Sequence, residues 1–164
     1  MEHEHDCGWE RLDPSAWDRI RARSSAGVNA RIDREAALRV AEARTEPTAG
    51  LLRRLAVLDR EWDVDRALMA NFAVLGGLSF GLGISNRNPW RRRNPWLVLF
   101  GTQLGFLLFH SVVGWCPPLP VLRRLGFRTQ KEIDVERQCI QGILRQRNAQ
   151  LVGTAERPVV STRQ

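Results

Sequence analysis

Hydrophobic and polar positions alternate along this chain in blocks. From Ala67 to Asn86 there are 20 residues without Asp, Glu, Lys or Arg, and from Asn94 to Leu122 there are 29 more, while nearly every other stretch of ten carries several charges. A helix of about 20 residues covers about 30 Å, the hydrocarbon thickness of a bilayer. The pattern predicts an all-α integral membrane protein built on a transmembrane hairpin unit, residues 67–122. Its spans lie at about 67–86 and 95–116, joined by a loop over 87–94. The second span has defined ends. Asn94 caps it, Pro95 takes the first helical position, where a missing N–H costs nothing, and Pro117-Pro118 cannot continue it.

The flanking blocks read as amphipathic helices. Residues 28–66 form a predicted cytoplasmic helical arm with Asn29 as its cap and a stripe of Ile32, Ala36, Val40 and Ala43. After a break at Glu46-Pro47, a second stripe of Leu51, Leu55, Leu58 and Trp62 runs toward the first span. Residues 123–147 read as a C-terminal cytoplasmic helix, started by the capping-box pair Thr129 and Glu132 and carrying Ile133, Ile140 and Leu144. Stripes of this kind pack together or lie on a bilayer surface. Residues 1–27 and 148–164 are polar and punctuated by Pro, Gly and Ser, the pattern of disordered segments.

Composition adds the partner and the orientation. A mean hydropathy of −0.31 and 26% charged residues would describe a soluble protein, but that average conceals the block structure. The net charge of +7 comes almost wholly from arginine, Lys131 being the only lysine. The arginines cluster beside the apolar blocks, which points to anionic lipid headgroups rather than nucleic acid, with Arg123 and Arg124 as interfacial anchors. Trp62, Trp90, Trp96 and Trp115 stand where an aromatic belt belongs. The outer flanks carry eight basic residues near the spans and the loop four, so the positive-inside rule puts both termini in the cytoplasm. The opening MEHEHDCGWE has no apolar run behind it, so no cleavable signal is expected and the first span directs insertion.

Within the hairpin, two features compete for the interface. Each span carries a GxxxG pair, Gly77 with Gly81 (extended backward by Ala73) and Gly101 with Gly105, and in an antiparallel hairpin these fall at matched depths. Gln103 and His110 share a face nearly opposite the glycines of the second span. The expectation is that the glycine faces close the hairpin and that Gln103 and His110 contact another copy or another protein. Asn71 lies near the depth of His110, and Ser79 near that of Gln103. Interhelical hydrogen bonding is the ordinary role for such groups. A proton or ion path would need an acid or base beside His110, and neither span contains one.

Little else suggests chemistry. Cys7, Cys116 and Cys139 have no zinc-ligand spacing and are odd in number, and reduced thiols are the simplest reading. His3, His5, Asp6 and Cys7 are competent metal ligands, but a flexible terminus holds a metal poorly. There is no phosphate loop, nucleophile triad, paired-carboxylate frame or dinucleotide motif, so no cofactor, metal or enzymatic activity is expected. Cys116, beside Trp115 at the boundary, is a candidate thiol.

The segment Glu61-Trp62-Asp63-Val64-Asp65-Arg66, the glycine-rich span behind it, and the ending Gly114-Trp115-Cys116-Pro117-Pro118-Leu119 resemble the YgaP-like transmembrane domain family. That resemblance covers about residues 59–128. It implies a two-helix, self-associating anchor in the bacterial inner membrane with cytoplasmic termini. Some members of that family follow a rhodanese domain, which has no room here, so sulfur transfer does not carry over. The leading expectation is a small non-enzymatic membrane protein that oligomerises and meets protein partners through its cytoplasmic arms. The alternatives are a minimal transport or channel component using Gln103 and His110, and a thiol or sulfur carrier through Cys116.

Overall fold

The structure is a computed structural model that describes residues 18–85 and 94–155. Seven helices follow one another among the described residues, with no strand: α1 (Arg19–Ala22), α2 (Ala26–Thr45), α3 (Thr48–Leu58), α4 (Val64–Ile84), α5 (Pro95–Val113), α6 (Leu119–Arg124) and α7 (Gln130–Ala155). Helices α4 and α5 are long and apolar enough to cross a membrane and pack against each other as a hairpin.

The helix ends follow local chemistry. Asn94 accepts a hydrogen bond from the Trp96 N–H with Pro95 directly behind it, and Thr129 and Glu132 exchange the reciprocal bonds of a capping box, at 2.9 and 3.3 Å. The cap of α2 is Ser25, which accepts from the Val28 N–H, and not Asn29. Asn29 lies inside the helix, and its side chain bonds the Arg21 carbonyl and the Arg123 guanidinium. Helix α4 begins at Val64, capped by Asp63, three residues earlier than the charge pattern indicates, which brings Asp65 and Arg66 into the helix. Residues 18–27, expected to be disordered, hold α1 and the cap of α2, and 148–155 continue α7. Asp18 orders the first of these by capping α1 and accepting from the Thr129 hydroxyl at 2.6 Å.

The two arms pack on each other as a helical domain. Helix α2 runs alongside α7 in the same direction and α3 runs against it. Ala43, Leu51, Leu58, Ile133 and Ile140 form one core cluster, and Val40, Val135 and Cys139 another. These include most positions of the stripes, but Trp62 is 49% exposed.

Charge holds this domain in register. Glu132 and Glu136, one turn apart on α7, are both buried. Glu132 takes two hydrogen bonds from Arg123 (2.7 and 2.8 Å) and one from Arg21, which also pairs with Asp33. Glu136 is bound by Arg128, Arg54 and Arg39, and Arg128 also reaches Glu61. Arg123, expected to anchor lipid headgroups, is 1% exposed and occupied by Glu132, Asn29, Ser24 and the Phe127 carbonyl. Burial pushes both carboxyls upward, but the arginines around them outweigh it: Arg123, the Thr129 N–H and Arg21 at Glu132, and Arg128, Arg54 and Arg39 at Glu136. Both carboxyls end below their ordinary range.

Carboxyls held low in the folded state contribute stability above the unfolded value, about 4.3 for Glu, and lose it as pH falls through the folded value. Thermal unfolding followed by circular dichroism is expected to be level down to about pH 5 and to fall steeply below about pH 4. Glu132→Gln and Glu136→Gln each leave buried arginines uncompensated, for an expected loss of about 3 kcal/mol and a shallower acid limb. An unchanged acid limb in both variants would count against the network.

Candidate functional site

The interface between α4 and α5 is a seam of residues three and four apart. On α4 it holds Asp65, Gly76, Phe80 and Gly83, which meet His110, Gln103, Phe100 and Leu97 of α5. Gly76 and Gly83 are the glycines that matter to closure. A Cβ at Gly83 would stand 2.6 Å from the Leu97 side chain, and one at Gly76 would stand 3.5 Å from Gln103 Oε1. Phe80 and Phe100 pack with ring centroids 5.2 Å apart.

This inverts the expected packing. A Cβ at Gly77, Gly81, Gly101 or Gly105 would meet nothing within 4 Å, and Ala73 is exposed, so the GxxxG faces point away from the seam. The polar residues face inward instead. For His110 the inward turn brings Nε2 to a carboxylate partner, while Gln103 Oε1 lies against Gly76, where a Cβ would make an ordinary contact.

His110 meets Asp65, with Nε2 and Oδ1 3.1 Å apart, and not Asn71. Its side chain is 9% exposed, and that of Asp65 is 49% exposed, so the pair stands at the mouth of the seam beside the helical domain. An acid therefore stands beside His110. It escaped the charge pattern because Asp65 precedes the uncharged run by two residues, yet lies in the first turn of α4. Ser79 donates to its own helix at the Gly76 carbonyl, not to Gln103. Gln103 Oε1 and His110 Nδ1 are buried without a hydrogen-bond partner.

The Gly-Trp-Cys-Pro segment turns the chain out of the hairpin. Gly114 ends α5 at φ +76°, a conformation that suits glycine, and a Cβ there would stand 2.8 Å from Arg19 Cβ. Trp115 packs edge-on against Phe109, and Pro118 opens α6. Cys116 is fully buried with Ile20, Val64, Leu68 and Leu119. Burial pushes its thiol up, the Leu119 backbone pulls it down and the Asp65 charge pushes it up, with a net rise. A buried thiol held in its protonated form is a poor nucleophile, so this geometry lends a carrier role no support.

Of the remaining anchors, Trp96 is 42% exposed and Arg124 is exposed, whereas Arg66 covers the Trp62 ring at 5.2 Å. Trp90, the loop arginines and the His3, His5, Asp6, Cys7 group lie outside the described residues. Among the described residues no group of three or more His, Cys, Asp or Glu is placed to hold a metal.

The seam predicts contrasting substitutions. Gly83→Ile is expected to spread α4 from α5 and lower hairpin stability by about 1–3 kcal/mol in detergent, whereas Gly77→Ile is expected to leave it unchanged. A disulfide between cysteines at Gly83 and Leu97, with none between cysteines at Gly77 and Gly105, is the expected cross-linking result. No family model matches the chain, and no curated protein or solved structure matches it.

Proposed function

We propose that the chain is a non-enzymatic integral membrane protein that self-associates through the outer faces of its hairpin and holds a helical domain at the cytoplasmic surface. The observation that carries this reading is the pair of outward GxxxG faces on an otherwise apolar surface. Met69, Val74, Leu78, Val98, Leu108 and Val112 are each 59% exposed or more, and His110 is the one buried residue of α5. A soluble core helix would be covered, and an exposed apolar band of this extent in water would aggregate. In lipid, the same surface is solvated, and small residues let a second helix approach closely. The resemblance of the Gly114–Leu119 ending to the YgaP-like domains and the excess of basic residues outside the hairpin support a bacterial inner membrane with cytoplasmic termini. Protein partners would meet the helical domain on the exposed side of α2 and α3, where Leu38, Leu52 and Val57 lie.

Chemical cross-linking in bilayers tests the assembly. Gly77→Ile with Gly105→Ile is expected to reduce cross-linked oligomers at least tenfold while the Gly83–Leu97 disulfide still forms. Oligomers of undiminished yield would overturn the assignment of these faces.

The His110–Asp65 pair favours one second reading, a minimal transport component in which these residues pass a proton or cation toward Gln103. That reading expects flux in proteoliposomes that His110→Ala and Asp65→Asn each abolish without change in assembly. Absence of flux from the wild-type protein would remove it.

A further inference from the structure

A cavity of about 60 Å³ opens where the second span returns to the helical domain, lined by Arg23, Ser24, Ser25, Val28, Leu119, Pro120, Arg123 and Arg124. Three properties of its wall bear on what it holds. The first is charge. Arg123 in its wall is neutralised by Glu132, but Arg23 and Arg124 are exposed and, among the described residues, neither is paired with a carboxylate. This leaves two guanidinium groups uncompensated at one opening. The second is donors. The cavity touches the N-terminus of α2, a 20-residue helix, through Ser25 and Val28, in the turn whose Ala26 and Gly27 N–H groups precede the first intrahelical bond at Val28. The third is position. Leu119 packs with Leu68, one turn inside α4, and Arg19 of the adjoining helix bonds the Val112 carbonyl in the last turn of α5. Val121 on the wall helix α6 (57% exposed) and Leu125 directly after it (70% exposed) also stand outward.

A volume of 60 Å³ is room for about four waters and so accommodates a tetrahedral anion, but not a nucleotide base or a peptide side chain with its backbone. We propose that this cavity binds the phosphate of an anionic phospholipid headgroup, with Arg23 and Arg124 as the clamp and α6 resting on the acyl boundary. The inference rests on the membrane reading above and deepens it. Guanidinium groups match phosphate geometry and remain charged, and exposed Val121 and Leu125 on either side of Arg124 in sequence favour a lipid over a free anion. The site also assigns Arg124, and not its buried neighbour Arg123, to the headgroup.

Native mass spectrometry of the delipidated full chain in detergent, titrated with short-chain phosphatidylglycerol or phosphatidylcholine, tests this. Wild-type protein is expected to retain phosphatidylglycerol preferentially. Arg23→Gln and Arg124→Gln are each expected to weaken that binding about fivefold, and about thirtyfold together. Arg53→Gln, which removes an exposed arginine from α3, is the control for bulk charge and is expected to change nothing. Equal retention of both lipids, or equal losses in the control and the clamp variants, would overturn the site. Displacement of phosphatidylglycerol by an equal concentration of inorganic phosphate would reassign the cavity to a soluble anion and overturn the lipid. Carbonate extraction of membranes separates the two levels of inference. Protein that resists extraction but shows no headgroup preference refutes the cavity alone, whereas extracted protein refutes the membrane reading.

Discussion

The arrangement depends on the ion pair between Arg123 and Glu132. Arg123 sits where the hairpin returns to the polar helices, and its guanidinium is shared among Glu132 on α7, Asn29 on α2 and Ser24 beside α1. Such a buried pair adds little net stability over a hydrophobic one, because desolvating two charges offsets most of their attraction. What it contributes is register. Glu132 and Glu136 stand one turn apart, opposite Arg123 with Arg21 and opposite Arg128 with Arg54 and Arg39. Sliding α7 by one turn would match one carboxylate and leave the other set of arginines buried and unpaired, at a cost of several kcal/mol.

That register reaches the hairpin through short connections. The Val64 N–H bonds the Arg128 carbonyl at 2.8 Å, so the start of α4 is tied to the residue beside the capping box of α7. Leu68, Cys116 and Leu119 share a core with Ile20, which brings the entrance of one span and the exit of the other together over α1. Asp65 is thereby held in the first turn of α4 within reach of His110. The polar pair at the seam and the buried network in the domain are thus mechanically linked.

Features governed by neighbours in sequence were legible. The Asn94-Pro95 start, the Thr129-Glu132 box, the break at Glu46-Pro47 and the stripes of α2, α3 and α7 each depend on residues a few positions apart. What was not legible depends on distant partners. Arg123 reads as a surface cation until its carboxylate arrives from the next helix, and residues 18–27 read as disordered until Thr129 supplies Asp18 with a partner. The faces of the hairpin were misassigned for a different reason. Small residues and polar residues both promote helix contact in lipid, and periodicity reveals two faces without ranking them. The signal that ranks them is Gly76 opposite Gln103, a small residue across from a large polar one, which neither GxxxG pair provides.

The inward turn of Gln103 and His110 also changes what the outer surface is able to do. With the amide and imidazole enclosed, α4 and α5 present glycine positions and aliphatic and aromatic side chains outward, so on the membrane reading proposed above contacts there rest mainly on packing. Packing alone favours copies of identical shape over unrelated helices, because close approach along Gly77–Gly81 and Gly101–Gly105 demands matched surfaces. On that same reading, recognition of anything chemically distinct falls to the polar helices, where Arg23 and Arg124 are unpaired among the described residues. The proposed association and recognition would thus occupy separate surfaces, divided at the turn that Gly114 makes.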